Sequence, residues 1–143
     1  MKLIDANLLL YAVNEDAPLH ASARDWLGAV LSGTETIALT WSVLLAFLRL
    51  STRAIIFSTP LSPDEAFDVI EAWLSRPCVT VVHPTARHPS LLRDLILRAG
   101  TAGNLTTDAH LAAIAIEHGA ELCSCDGDFA RFSGLRWNNP LSD

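Results

Sequence analysis

The chain has 143 residues, half of them hydrophobic and 18% charged, enough for a single domain spanning 1–143 that buries about 68–70% of its unfolded surface. Its net charge is −6, with arginine at nine of the ten basic positions, a balance that argues against broad, charge-driven binding to nucleic acid but leaves arginines for a local basic rim. No apolar run approaches the roughly 20 residues that span a bilayer, and the opening "MKLIDANLLLYA" lacks a small-residue cleavage site, so neither a membrane association nor a secretory signal is expected.

In chain order, "KLIDANLLL" begins with a short apolar run ending at Asp5, which reads as a buried first strand. Residues 18–31 place Leu19, Ala23, Trp26, Leu27, Val30 and Leu31 on one helical face. "TIALT" (36–40) reads as a second short strand, and "WSVLLAFLRL" after it is apolar nearly all round. That pattern predicts a central helix, or one covered by a partner subunit. "LSPDEAFDVIEAWLSRP" carries the clearest helix: Ser62 as cap, Pro63 in the first turn, Glu65 completing a capping box, and Pro77 as the stop. "VTVV" (79–82) is a third strand, and Leu91, Leu92, Leu95, Ile96 and Ala99 form a helix ended by Gly100. "TTDAHLAAIAIEHG" starts a further helix, with Thr106 or Thr107 as cap, Asp108 in the first turn and Gly119 as terminator. "ELCSC" (121–125) is the fourth strand and leads into Asp126. Strands alternating with helices predict an α/β domain with a mostly parallel sheet.

Cysteine spacing predicts no zinc site. Cys78 stands alone and no second cysteine–histidine pair has ligand spacing, so Cys78, Cys123 and Cys125 are expected as buried thiols in a reducing cytoplasm. Trp26, Trp41 and Trp73 are expected in the core, and His110 as a packing or surface histidine, since no second histidine sits at ligand spacing.

The isolated acids carry the chemistry. Asp5 ends the first strand, Asp108 opens a late helix, and Asp126 and Asp128 follow the last clear strand. In a parallel α/β sheet, functional groups gather at the carboxyl ends of the strands, so these four can converge in one cleft. Carboxylates that close repel one another and need a divalent cation to stay ionised together, and hard oxygen donors suit magnesium or manganese. Each acid also has an ordinary explanation. Asp108 suits the positive end of its helix, and Asp126 with Asp128 can hold a turn at Gly127. Asp5 is harder to dismiss, because a carboxylate within "LIDANLLL" is costly to bury without a partner. Asn7 either orients it or caps local backbone. A calcium loop lacks its distal glutamate, and "GTAGN" lacks the lysine and hydroxyl of a phosphate loop.

"LIDANLLLYA", "WSVLLAFLRLST", "TTDAHLAAIAIEHGAEL" and "SCDGDFARFSGLRWNNPL" occur in an order, and over nearly the whole chain, that resembles the PIN-domain family, specifically the VapC-type toxins of bacterial toxin–antitoxin pairs. The resemblance implies a three-layer PIN-like fold and an endoribonuclease dependent on Mg2+ or Mn2+. It implies that Asp5, Asp108 and Asp126 bind metal, that Asp128 joins them in catalysis, and that Asn7 and Ser124 are supporting polar positions. The implied chemistry is in-line attack of water on an RNA phosphodiester, with one or two cations. The implied substrate is transfer or ribosomal RNA, with no residue assigned to RNA binding. The implied partner is a VapB-like antitoxin, expected to insert a basic side chain into the acidic cleft and to lay an apolar helix near Trp41 to Phe57 and the helix from Pro63 to Ser75. The all-round apolar pattern separately predicts a homodimer, partly through Trp41 to Phe57.

One departure stands out. Many family members place a glutamate about where this chain has Ala46, and the stretch from Thr40 to Arg53 contains no acid. Two alternatives therefore accompany the ribonuclease reading: a catalytically impaired PIN module that binds RNA or antitoxin only, and a phosphohydrolase or receiver-like domain with Asp126 or Asp5 as phosphate acceptor.

Overall fold

The computed structural model describes residues 1–142. Five strands form one sheet: β1 (Lys2–Ile4), β2 (Ile37–Leu39), β3 (Val79–Val81), β4 (Glu121–Cys123) and β5 (Trp137–Asn138). Six helices accompany them: α1 (Ala6–Val13), α2 (His20–Leu31), α3 (Trp41–Ser51), α4 (Pro63–Leu74), α5 (His88–Ala99) and α6 (Thr106–Glu117). The strand order is β3-β2-β1-β4-β5, every neighbouring pair is parallel, and Leu3 lies between Ala38 and Leu122. The chain steps outward from β1 to β2 to β3, then returns past β1 to β4. With right-handed crossovers, that reversal puts α1–α4 on one face and α5–α6 on the other, in keeping with contacts that link α2, α1, α3 and α4 in series and α5 with α6. The expected three-layer α/β domain is the one observed.

Burial explains the elements. Leu3, Ile4, Ile37, Ala38, Leu39 and Leu122 are shielded on both faces, as a sheet covered by two helical layers requires. The capping box is present: Ser62 Oγ accepts from the Glu65 amide at 3.1 Å, and Glu65 Oε1 accepts from the Ser62 amide at 3.0 Å. Gly100 ends α5 with φ of 80°, a left-handed conformation that glycine adopts without a Cβ penalty. On α3, Val43, Leu44 and Phe47 are buried, with Phe47 edge-on to Trp73 at 4.8 Å, so the chain covers this helix's inner stripe itself. Trp41, Leu45, Ile55, Ile56 and Phe67 remain exposed.

Four expectations need correction. Residues 6–13 form α1 directly after Asp5, where no separate helix was expected. Neither Thr106 nor Thr107 caps α6: a short 3₁₀ turn at Gly103–Leu105 runs straight into it, and the cap position falls to Leu105, which has no side-chain acceptor. Trp41 is exposed at the helix start rather than in the core. Of the cysteines, Cys123 is buried, whereas Cys78 and Cys125 are half-buried.

α5 and α6 are joined by a polar network. Glu117, its side chain fully shielded, accepts from the Thr85 amide at 2.7 Å and pairs with His88 Nδ1 at 2.6 Å. His88 Nε2 in turn meets His110 Nδ1 at 2.9 Å. The Glu117 carboxylate accepts from His88 Nδ1–H, which fixes the orientation of the His88 ring against His110. Burial, with the neighbouring His88 second, holds the His110 imidazole below its usual pKa. Glu117→Ala leaves the buried His88 Nδ1–H without its acceptor, whereas the exposed Thr85 amide turns to water, and is expected to cost about 1–3 kcal/mol. Urea denaturation checks it, and an unchanged midpoint would refute a stabilising role for the network.

Candidate metal centre

The sheet's topology places the site. The chain leaves β1 and β4, adjacent strands, in opposite lateral directions, and their carboxyl ends flank the switch point where α/β sheets form ligand crevices. Asp5 follows β1, Ser124 and Asp126 follow β4, and the first turn of α6 brings Asp108 to the same edge.

Asp108, Asp126 and Asp128 each offer a carboxylate oxygen, and these atoms lie within 4.8 Å of one another. The post-β4 turn builds two of the three positions. Asp126 caps the 3₁₀ helix Gly127–Arg131, its Oδ1 accepting from the Asp128 amide at 2.9 Å, which brings both acids to one side of the turn. Turn-forming and clustering thus coincide in these residues. Asp5 lies outside that tight group but acts on it electrostatically, contributing to the shift at Asp108.

Ser124 ties the edge together. Fully buried, its Oγ donates to Asp5 Oδ2 at 2.7 Å and accepts from Asn7 Nδ2 at 3.1 Å and from the Asp126 amide at 3.0 Å. Asn7 Oδ1 also accepts from the Cys125 amide at 3.3 Å, and Asp5 Oδ1 from the Ala6 amide at 2.8 Å. One hydroxyl therefore orients the β1 acid and fixes the backbone that launches Asp126. Ser124→Ala is expected to weaken Mn2+ affinity about 10–100-fold, the usual effect of losing a partner behind a ligand. Isothermal titration reads the affinity directly, and wild-type binding in this variant would refute the role.

The electrostatics are those of acids crowded without a counter-charge. Burial, then Asp126, Asp5 and Asp128 in decreasing order, push the Asp108 carboxyl up to about 6. Asp5 is also raised, mainly by burial, against the lowering effect of the Ser124 and Ala6 hydrogen bonds. A clustered set of hard oxygen donors, one of them raised by burial and by the acids around it, is a fit for a divalent cation such as magnesium or manganese. Cys123 lies in β4 with its thiol pushed up to about 12 by burial, which keeps it out of thiolate chemistry at neutral pH.

Sequence spacing missed the partner of His110, since His88 lies 22 residues away on another helix. His110 nonetheless has the packing role expected of it.

The PIN domain family model matches residues 2–135. Ribonuclease VapC37 of Mycobacterium tuberculosis is 44% identical over 140 residues, 98% of this chain and 97% of that protein. Among solved structures, VapC20 of Mycobacterium tuberculosis, described as a sarcin–ricin loop cleaving toxin, superposes with a TM-score of 0.70 at 20% identity, covering 95% of this chain and 99% of that one. VapBC2 from Rickettsia felis, bound to a DNA fragment from its promoter, gives a TM-score of 0.70 at 21% identity over 96% and 97% of the two chains. At such identities these two likenesses bear on the fold.

Proposed function

Because the chain belongs to the PIN-domain family, among the VapC ribonucleases, we propose that it cleaves RNA phosphodiester bonds with a divalent cation held by Asp108, Asp126 and Asp128. The observation that carries this reading is the convergence of those three carboxylates within 4.8 Å at the switch point of the sheet. Asp5 completes the site from the β1 side.

When bound, the cation lowers the pKa of water and neutralises charge on the phosphate oxygens. The chain's own residues prepare for it. Ser124 donates to Asp5 Oδ2 and so fixes the Asp5 carboxylate within electrostatic reach of Asp126. The Asp126 cap fixes the turn so that Asp128 arrives beside Asp126. Burial and the neighbouring acids hold the Asp108 carboxyl high, at about 6, and a cation entering the cluster would offset that repulsion. Ala46 stands about where the resemblance to the family implies a glutamate, and the three-carboxylate group forms without an acid there.

Transfer or ribosomal RNA is the proposed substrate class, magnesium or manganese the proposed metal, and the cytoplasm the proposed compartment. No helix among the described residues is long and apolar enough to cross a membrane. Cleavage mapping on total RNA in manganese, wild type against Asp5→Asn, tests the activity. Discrete cuts lost in the variant are expected. A wild-type protein that binds RNA or antitoxin but makes no cut would establish the binding-only alternative.

The proposed regulator is a VapB-like antitoxin that inserts a basic side chain among the acids, and the proposed assembly is a homodimer formed partly through the segment from Trp41 to Phe57, where Trp41, Ile55 and Ile56 are exposed. Sedimentation of the chain alone is expected to give a dimer at micromolar concentration. Antitoxin affinity is expected to fall in the Asp5→Asn, Asp108→Asn double variant and to be opposed by manganese. A monomer would contradict the first expectation, and unchanged affinity the second.

A further inference from the structure

We propose that the cleft between α3, α4 and the first turn of α6 holds a nucleobase adjacent to the scissile phosphate, with Arg49 on a neighbouring phosphate. This inference rests on the ribonuclease reading above and adds to it the place where the RNA chain lies.

The cleft is about 590 Å³, inside the roughly 300–1,000 Å³ that ligand sites occupy. Ser42, Ala46 and Arg49 line it from α3 at spacings of four and three, which is one helical face. Phe67 lines it from α4, and Thr107 closes it from α6. Thr107 immediately precedes Asp108, so the cleft and the acidic cluster share the first turn of α6.

Its surface is divided in the way a nucleotide is. Leu45 and Phe67, 57% and 44% exposed, offer apolar and aromatic wall against which a base can pack. Ser42, Arg49, Thr52 and Thr107 make the remainder polar or cationic. The short Ala46 side chain keeps the floor between them open. A wholly apolar helix from a protein partner would leave the unpaired Arg49 guanidinium facing hydrocarbon, which is costly, whereas the Ser42 and Thr52 hydroxyls already bond to Thr40 and to the Leu48 carbonyl.

Charge supports the same occupant. The chain carries −6 overall, and the acids at the site repel phosphate until a cation arrives. RNA must then be held by local cations beside the cluster. Arg49 is exposed and, among the described residues, has no carboxylate within salt-bridge distance. No acid occurs anywhere from Thr40 to Arg53 to neutralise it.

The test compares wild type, Phe67→Ala and Arg49→Gln, both changes being at exposed positions, with melting temperatures to verify folding. Short single-stranded RNA of mixed sequence is titrated by fluorescence anisotropy with calcium replacing manganese, at several salt concentrations. Manganese affinity is measured in parallel. Phe67→Ala is expected to weaken RNA binding between about five- and one-hundredfold, the range for losing one stacked base, with the salt dependence unchanged. Arg49→Gln is expected to reduce the slope of log K against log salt by about 0.7, the loss of one phosphate contact on a single strand. Neither variant is expected to alter manganese affinity. RNA binding and salt slope unchanged in both variants, while the wild type still cleaves, would overturn the subsite and leave the ribonuclease reading standing. Unaltered RNA binding with a shifted sedimentation coefficient, or with lost antitoxin affinity, would also overturn it and assign the wall to a second copy or to the antitoxin. Wild-type protein that neither binds nor cleaves RNA overturns both.

Discussion

Asp108→Asn is expected to lower RNA cleavage about 10²–10⁴-fold in magnesium, the equivalent of the several kcal/mol that a bound cation contributes to stabilising charge in the transition state. Asp108 is the member of the cluster that comes from a different element: Asp126 and Asp128 share the post-β4 turn, whereas Asp108 is anchored by α6 across the crevice. Removing its charge leaves two acids on a single turn and opens one side of the site. Asparagine preserves shape and one oxygen, so the fold is retained while affinity for the cation falls. Part of the lost rate should return as manganese is raised, because magnesium demands near-ideal octahedral geometry and dehydrates reluctantly, which makes it the less tolerant ion at a weakened oxygen site. Cleavage at the wild-type rate in magnesium would mean that the reacting phosphate is served elsewhere.

The second large effect concerns stability, and its sign follows from the direction of the Asp108 shift. Folded Asp108 keeps its proton up to about 6, against 3.8 as its ordinary value. Between those values the folded chain binds more protons than the unfolded one. Stability from this group is therefore fully present below about pH 4 and is lost as pH rises through 6. The unscreened cost at neutral pH is about 3 kcal/mol at 1.36 kcal/mol per pH unit. Asp108 keeps part of its surface in water, so screening leaves about 1–2 kcal/mol. Asp5, raised mainly by burial, acts in the same direction. Glu117, held low chiefly by its Thr85 and His88 hydrogen bonds despite the opposing effect of burial, acts in the opposite direction and supports the fold above the carboxylate range. Metal-free protein should accordingly lose the Asp108 contribution on going from pH 4 to pH 7, and manganese should restore it at pH 7 through preferential binding to the folded state. In Asp108→Asn the contribution is absent and the manganese effect is weak. Thermal melts with chelator and with manganese, at both pH values and in both proteins, separate these terms. Equal manganese stabilisation of wild type and variant would contradict the account.

The sequence was most informative where one local rule decided the outcome. Ser62, Pro63 and Glu65 specify a helix start by hydrogen bonds within one turn, and the capping box is as expected. The apolar runs at β1, β2 and β4 mark strands buried on both faces, and their alternation with helices is enough for a parallel sheet. Legibility failed where several elements share the determinant. α1 is eight residues long with Leu8, Leu9 and Leu10 all buried, so no helical stripe distinguishes it from a continuing strand. β5 has two residues, Trp137 and Asn138, and exists because β4 offers an edge for them to pair with. The His88–His110–Glu117 network joins side chains up to 29 residues apart and has no spacing signature.

The site was legible in its members and less so in its arrangement. Asp5, Asp108, Asp126 and Asp128 stand out because each interrupts or follows an apolar stretch. Which of them lie closest depends on the turn after β4, whose Asp126 cap brings Asp128 into the tight group and leaves Asp5 beside it, held by Ser124. That division is a property of tertiary geometry, and linear spacing does not encode it.

The most direct test of the central claim, that these carboxylates form one cation site, is a manganese titration of metal-free protein followed by electron paramagnetic resonance at neutral pH. Wild type is predicted to remove free manganese from the spectrum with saturable binding, and Asp108→Asn and Asp126→Asn are each predicted to lose that binding while melting cooperatively. Saturable binding that survives in both variants with wild-type affinity would contradict the claim.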